Sequence, residues 1–187
     1  MNTFPPINLA CDRFSLRLLE TRDAADLLAI FGDPEVVRYW SQPPWRGEEE
    51  ALAMLERDRQ AFADGQALRL GIVLCSTGHV VGTLSVFNLS PANRRAEIGY
   101  ALARAHWGQG LMHEALGLLV AWAFDALQLH RLEADIDPAN EASARSLQRL
   151  GFQREGLLRE RWIVDGQVSD TAFYGLLAAE WRAARSA

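Results

Sequence analysis

The segment from residue 96 to residue 136 constrains the fold more than any other. Ala96-Glu97-Ile98-Gly99-Tyr100-Ala101-Leu102 reads as a strand, and the turn Trp107-Gly108-Gln109-Gly110 follows it. A helical run then extends from Gly108 to about Leu127, with Leu111, Ala115, Leu118, Leu119, Trp122 and Ala123 on one broad face. Arg131–Ile136 is again strand-like. A strand, a helix and a second strand joined in this way form a right-handed crossover, so the two strands are expected to run locally parallel. Two glycines at a helix start let backbone amides approach an anion, because the first-turn N–H groups are unpaired and the helix dipole favours negative charge. The same glycines could equally relieve crowding where the turn meets the sheet.

The flanking pattern limits the architecture further. Arg13–Leu18 alternates with period two, and Thr21 with Asp23 reads as a capped helix start. Asp33-Pro34 restarts a short helical turn, and Glu48–Asp64 carries Ala51, Leu52, Leu55 and Phe62 at helical spacing. Leu68–Cys75, Val80–Leu89 and Ala96–Leu102 are separated by Ser76-Thr77-Gly78 and Ser90-Pro91-Ala92-Asn93, the turn chemistry of an antiparallel meander. Asn140–Leu150 is a helix closed by Gly151 at C′, and two strands flank the Asp165-Gly166 hairpin signal. The predicted order is βααβββαβαββ, an α+β fold (an α/β three-layer sandwich) whose mixed, mostly antiparallel sheet of about seven strands is flanked by helices. No repeat or long linker interrupts it, so residues 1–187 are expected to form a single domain.

Charge excludes several functions. Nineteen basic residues oppose 24 acidic ones, a net charge of −5, which leaves no basic stripe for nucleic acid. Every basic residue is arginine. Without lysine the chain can build neither a Walker-A phosphate loop nor a Schiff base. No apolar run reaches the 18 or so residues of a spanning helix, and the first residues lack a signal-peptide pattern, so a soluble, cytoplasmic protein without a membrane partner is expected. Cys11 and Cys75 lack C-x-x-C spacing and are expected to be free thiols, buried or half-buried. A dinucleotide fingerprint would need a third glycine where His113 stands. His113-Glu114 begins the H-E-x-x-H zinc motif, but position 117 is Gly, so no metal site is expected.

These residues resemble the GNAT superfamily of acetyl-CoA-dependent N-acetyltransferases, specifically its RimJ/RimL-like branch. The likeness runs over nearly the whole chain, from Asp12-Arg13-Phe14-Ser15-Leu16-Arg17 and Asp33-Pro34-Glu35-Val36 through Ala96-Glu97-Ile98-Gly99-Tyr100 and Trp107-Gly108-Gln109-Gly110 to Asn140-Glu141-Ala142-Ser143, Leu150-Gly151-Phe152 and Glu155-Gly156. It implies a GNAT-like sheet and acetyl-CoA as cosubstrate. The family's phosphate loop would wrap the coenzyme's pyrophosphate with backbone amides of Trp107, Gly108, Gln109, Gly110, Leu111 and Met112. Ala105 departs from the Gln or Arg that usually opens that loop. The resemblance further implies that the pantetheine arm pairs with Tyr100, Ala101 and Leu102, and that Asn140 contacts its amide region, although Asn140 is equally a normal N-cap.

Acetyl transfer needs a neutral amine and a proton for the departing thiolate. A free α-amine with pKa near 7.7–8.0 is roughly one-third neutral at pH 7.5, whereas a lysine-type amine is only about 0.1% neutral. By resemblance Glu97 is the carboxylate base; the alternative is a pairing with Arg94, Arg95 or an arginine of a neighbouring strand. Many members protonate the thiolate with a tyrosine where Leu147 stands here, and the branch's Asn-x-x-Ser pattern offers Ser143 instead, which could alternatively serve the helix's first turn. Tyr100, Trp40, Trp45 and Trp162 either wall an acceptor site or fill core. The leading expectation is acetylation of a primary amine, the α-amine of a protein or peptide ahead of a small-molecule amine such as an amino acid, polyamine or aminoglycoside. A non-catalytic acyl-CoA sensor is a third reading. Sheet edges permit a homodimer, although no patch marks one.

Overall fold

In the computed structural model, residues 4–164 and 166–186 are described. The strands are β1 (Leu9–Ala10), β2 (Phe14–Leu18), β3 (Leu68–Leu74), β4 (Val80–Ser90), β5 (Arg95–Leu102), β6 (Arg131–Ile136), β7 (Gln153–Val164) and β8 (Gln167–Leu177). The helices are α1 (Ala24–Phe31), α2 (Pro34–Val37), α3 (Glu48–Ala63), α4 (Leu111–Asp125), α5 (Glu141–Arg149) and α6 (Ala178–Ser186). Among the described residues the strands make one eight-stranded sheet in the order β1-β2-β3-β4-β5-β6-β8-β7, antiparallel throughout except for β5 beside β6.

The mixed sheet, the meander and the short helical turn at Asp33-Pro34, which is α2, follow the sequence pattern, with two additions. The two-residue β1 raises the strand count from the expected seven to eight, and α6 follows β8. α6 is tied on by Glu180, which accepts the Leu177 amide at 3.0 Å. The central helix begins at Leu111 and not at Gly108, because Gly108 and Gly110 hold φ of 71° and 77°, left-handed values that a helix cannot contain. Gly151 closes α5 with φ 94°, as expected of a C′ glycine. In the predicted Asp165-Gly166 turn, Gly166 has φ 79°, while Asp165 lies outside the described residues.

Strand alternation divides the core between the two faces of the sheet. Leu70, Leu84, Val86, Ala96, Ile98 and Leu132 pack with Leu116, Leu119 and Phe124 of α4 and Leu147 of α5. On the opposite face Val73, Val80 and Ala101 pack with Leu27, Ile30 and Phe31 of α1 and with Ala51 and Met54 of α3. This assignment decides which residues of β5 face which helices. Ala96, Ile98 and Tyr100 look toward α4 and α5, whereas Glu97 and Gly99 look toward the α1–α3 side. Cys11 is half-buried, and Cys75 is exposed where a buried or half-buried thiol was expected, with its Sγ 3.9 Å from the Cys11 carbonyl. No helix among the described residues is long and apolar enough to cross a membrane.

Candidate active site

Parallel pairing between β5 and β6 covers three residue pairs, Arg95 with Arg131, Ala96 with Leu132 and Glu97 with Glu133, and then stops. Both strands continue, β5 to Leu102 and β6 to Ile136, so the sheet splays open beyond Glu97. From Ile98 onward the β6-facing edge of β5 has no strand partner. A cleft of about 730 Å³ occupies this region, and its wall combines residues from both faces of β5: Glu97 and Gly99 from one, Tyr100 from the other, with Asn140 and Ser143 of the α5 end.

Glu97 sits at the last paired position, half-buried, with its side chain on the cleft wall. Among the described residues its carboxylate has no ion-pair or hydrogen-bond partner. Of the arginines that the sequence offered, Arg95 is instead bonded through Nη1 to Glu133 at 2.6 Å, and Arg131 of the neighbouring strand is bonded to Glu133 and Glu155. Gly99, two residues on, keeps the floor open, since a Cβ there would lie 3.2 Å from the Phe87 ring and 3.3 Å from the Ser85 hydroxyl.

On the helix side, Ser143 is buried and its Oγ lies 2.6 Å from the Tyr100 hydroxyl. Asn140 caps α5 by accepting the Ser143 amide at 3.1 Å, which fixes the serine backbone in the first turn. Burial pushes the Tyr100 phenol up to about 12, against the opposing effect of its bond to Ser143. The phenol is therefore protonated at neutral pH, and either hydroxyl of the pair can be the donor. Alternation in β5 could have placed Tyr100 on the α5 side; its meeting with Ser143 depends on how α5 packs, which no local pattern reveals.

The glycine turn leads from the end of β5 to α4. Trp107 Nε1 donates to the Leu102 carbonyl at 2.7 Å, Gln109 Nε2 donates to the Ala105 carbonyl at 2.9 Å, and Arg13 Nη2 donates to the Gln109 carbonyl at 3.0 Å. Gly110 gives α4 no side-chain cap, and the first intrahelical bond is that from the Glu114 amide to the Gly110 carbonyl. The amides of Leu111, Met112 and His113 thus point out of the helix end. A Cβ at Gly108 would meet nothing within 4 Å, and one at Gly110 would meet only Glu114 Oε1 at 3.9 Å, so both glycines border open space. Left-handed glycines followed by unpaired amides suit a pyrophosphate. Asn140 and Leu102, the other positions expected at the coenzyme, already spend their oxygens on the Ser143 amide and the Trp107 indole.

One side of the cleft is aromatic and acidic. Trp40 and Trp45 line it and also pack on Phe31, with ring centroids 5.2 and 4.6 Å away, so they serve as wall and core together. Trp162 lines it from β7. Burial pushes the carboxyls of Asp58 and Asp135 up, opposed by Arg69 at 2.8 Å and Arg161 at 3.5 Å respectively. Among the described residues no group of three or more His, Cys, Asp or Glu side chains is placed to hold a metal ion.

Comparison with known proteins places the chain in a family. Residues 13–153 match the family model for the acetyltransferase (GNAT) domain. The chain is 37% identical over 173 residues to the uncharacterized N-acetyltransferase p20 of Bacillus licheniformis, covering 92% of this chain and 97% of that protein. It is 28% identical to the [ribosomal protein uS5]-alanine N-acetyltransferase of Escherichia coli, covering 97% and 96% of the two chains. Among solved structures, RimJ of Mycobacterium smegmatis in complex with CoA-disulfide superposes with a TM-score of 0.81 at 30% identity, covering 89% of this chain and 83% of that one. The chain therefore belongs to the GNAT family and is an acetyl-CoA-dependent N-acetyltransferase of RimJ-like type.

Proposed function

We propose that the chain, acting as one domain over residues 1–187, transfers the acetyl group of acetyl-CoA to the N-terminal α-amine of a protein or peptide. The observation that carries this reading is the splay between β5 and β6, which sets an unpartnered carboxylate, Glu97, across one cleft from the Tyr100–Ser143 hydroxyl pair. Acetyl-CoA supplies the activated acetyl group. The amides of Leu111, Met112 and His113, with the Gly108–Gly110 turn, hold its pyrophosphate, and the free edge of β5 at Tyr100 and Ala101 orients the pantetheine. Glu97 accepts the proton that the attacking amine gives up. The Tyr100–Ser143 hydroxyl pair, with the phenol protonated at working pH, steadies the departing thiolate by hydrogen bonding, and the thiolate takes up its proton from solvent.

A polypeptide acceptor is favoured by the rim of the cleft. There the β7–β8 hairpin contributes Val168, 53% exposed, and Trp162, 40% exposed, apolar side chains that a small amine would not cover. A second reading, a small cationic amine, is favoured by Asp58 and Asp135, because an ammonium would supply positive charge to carboxyls that burial holds toward the neutral form. The cytoplasm is the proposed location, a compartment that would keep the two free cysteines reduced. Thiol release from acetyl-CoA, measured against an alanine-starting peptide and against spermidine, separates the acceptors. A higher kcat/KM for the peptide supports the proposal, and turnover of spermidine alone overturns it in favour of the small amine.

A further inference from the structure

Beside Glu97 lies a cluster of charges that the reaction as described does not use. Register places Arg95 and Glu97 of β5 against Arg131 and Glu133 of β6, with all four side chains on one face of the sheet. Glu133 is buried, and it receives Arg95 Nη1 at 2.6 Å and Arg131 Nε at 2.8 Å on its two oxygens. Arg131 also holds both oxygens of Glu155 on β7, with Nη1 to Oε1 at 2.8 Å. These bonds, that to Glu155 foremost, hold the Arg131 guanidinium above its usual range and the Glu155 carboxyl below its own.

The Arg131–Glu155 bridge crosses β8 at Gly175. A Cβ there would lie 2.5 Å from Arg131 Nη2 and from Glu155 Oε1, so a side chain at this position would push the bridge aside. Arg95, Glu133, Arg131 and Glu155 thereby form a closed, neutral quartet of two cations and two anions. Glu97 is the carboxylate left over.

We infer that Glu133 is a positioning residue which, by engaging Arg95, keeps that guanidinium off Glu97 and leaves the Glu97 carboxylate free to take a proton. Arg95 is only two residues from Glu97 on the same face of β5. Released from Glu133, its fork would find Glu97 as the nearest unpartnered carboxylate on that strand. A guanidinium–carboxylate pair favours the charged form of the acid and occupies its lone pairs, which makes it a poorer base. This inference rests on the proposed role of Glu97.

The test compares Glu133→Gln, Arg95→Met and the double variant Arg95→Met/Glu133→Gln by crystallography and by thiol-release turnover. The expected crystal structure of Glu133→Gln places the Arg95 guanidinium within hydrogen-bond distance of Glu97. Turnover of Glu133→Gln on an alanine-starting peptide and on spermidine is expected to fall at least about tenfold, with the acid limb of its pH–rate profile moved to lower pH. Arg95→Met alone keeps turnover near the wild-type value, and its addition to Glu133→Gln restores most of the loss. A cluster that merely braces the sheet would not be rescued by removing a second member. Arg95 found away from Glu97 in the Glu133→Gln crystal overturns the inference. So does a loss that Arg95→Met fails to restore, or failure of Glu133→Gln to fold. Glu97→Gln is measured in parallel: unchanged turnover there removes the base assignment, whereas a loss there with no rescue in the quartet removes only the role of Glu133.

Discussion

Replacing Tyr100 with Phe deletes one oxygen and leaves a half-buried ring in place, and its consequence can be sized. At neutral pH the loss of the 2.6 Å contact with Ser143 is expected to cost about 1 kcal/mol of stability. The distinctive effect appears in alkali. The folded phenol is pushed up to about 12 from an ordinary value near 10, so the fold favours its protonated form. That contribution is fully present below pH 10 and is lost as the pH rises through 12, because the unfolded chain deprotonates first. Two units at about 1.4 kcal/mol each amount to roughly 3 kcal/mol. No lysine titrates in this window. Urea unfolding from pH 9 to 12 should show wild type losing roughly 2 kcal/mol more than Tyr100→Phe, the rest of the loss falling above pH 12. Tyr39 and Tyr174 remain in both proteins, so the difference in phenolate absorbance isolates Tyr100. Parallel stability curves, or a Tyr100 phenolate that forms by pH 10, would refute the buried-phenol assignment.

Gly110→Ala is expected to cost about 1–2 kcal/mol for the left-handed backbone alone, because the added methyl meets no close neighbour, and to raise KM for acetyl-CoA as that methyl enters the cradle; thermal melts and initial rates check both effects. Arg13→Met removes an exposed ion pair to Glu114 and the bond to the Gln109 carbonyl, so stability should fall by less than about 1 kcal/mol while KM for acetyl-CoA rises several-fold at constant kcat. Ser143→Ala should lower turnover with little effect on coenzyme affinity, as read by calorimetric titration and thiol release.

The crossover was legible because glycine chemistry and strand alternation are local signals. Trp107-Gly108-Gln109-Gly110 and the α5 helix closed by Gly151 follow from patterns within a few residues, and the parallel β5–β6 pair follows from the strand–helix–strand order through the handedness of crossovers. What escaped was set by tertiary packing or by weak local signals. β1 is two residues long, too short for periodicity, and the chemistry of α6 lies in one cap, Glu180 on the Leu177 amide. Glu97 was readable as a carboxylate at a strand position, but its freedom from Arg95 depends on Glu133 arriving 36 residues later on another strand. The Tyr100–Ser143 contact likewise joins β5 to α5, and the notch that admits the Arg131–Glu155 bridge is a glycine on β8 whose neighbours are remote in sequence.

The central claim is that Glu97 accepts the amine proton. The most direct measurement is steady-state turnover of wild type and Glu97→Gln between pH 6 and 9, on an alanine-starting peptide and on spermidine, with acetyl-CoA affinity measured by calorimetry on both proteins. The account predicts nearly unchanged coenzyme affinity and a fall in turnover of about 10- to 100-fold, steeper for the amine of higher pKa. Equal turnover by the two proteins across that range would contradict it.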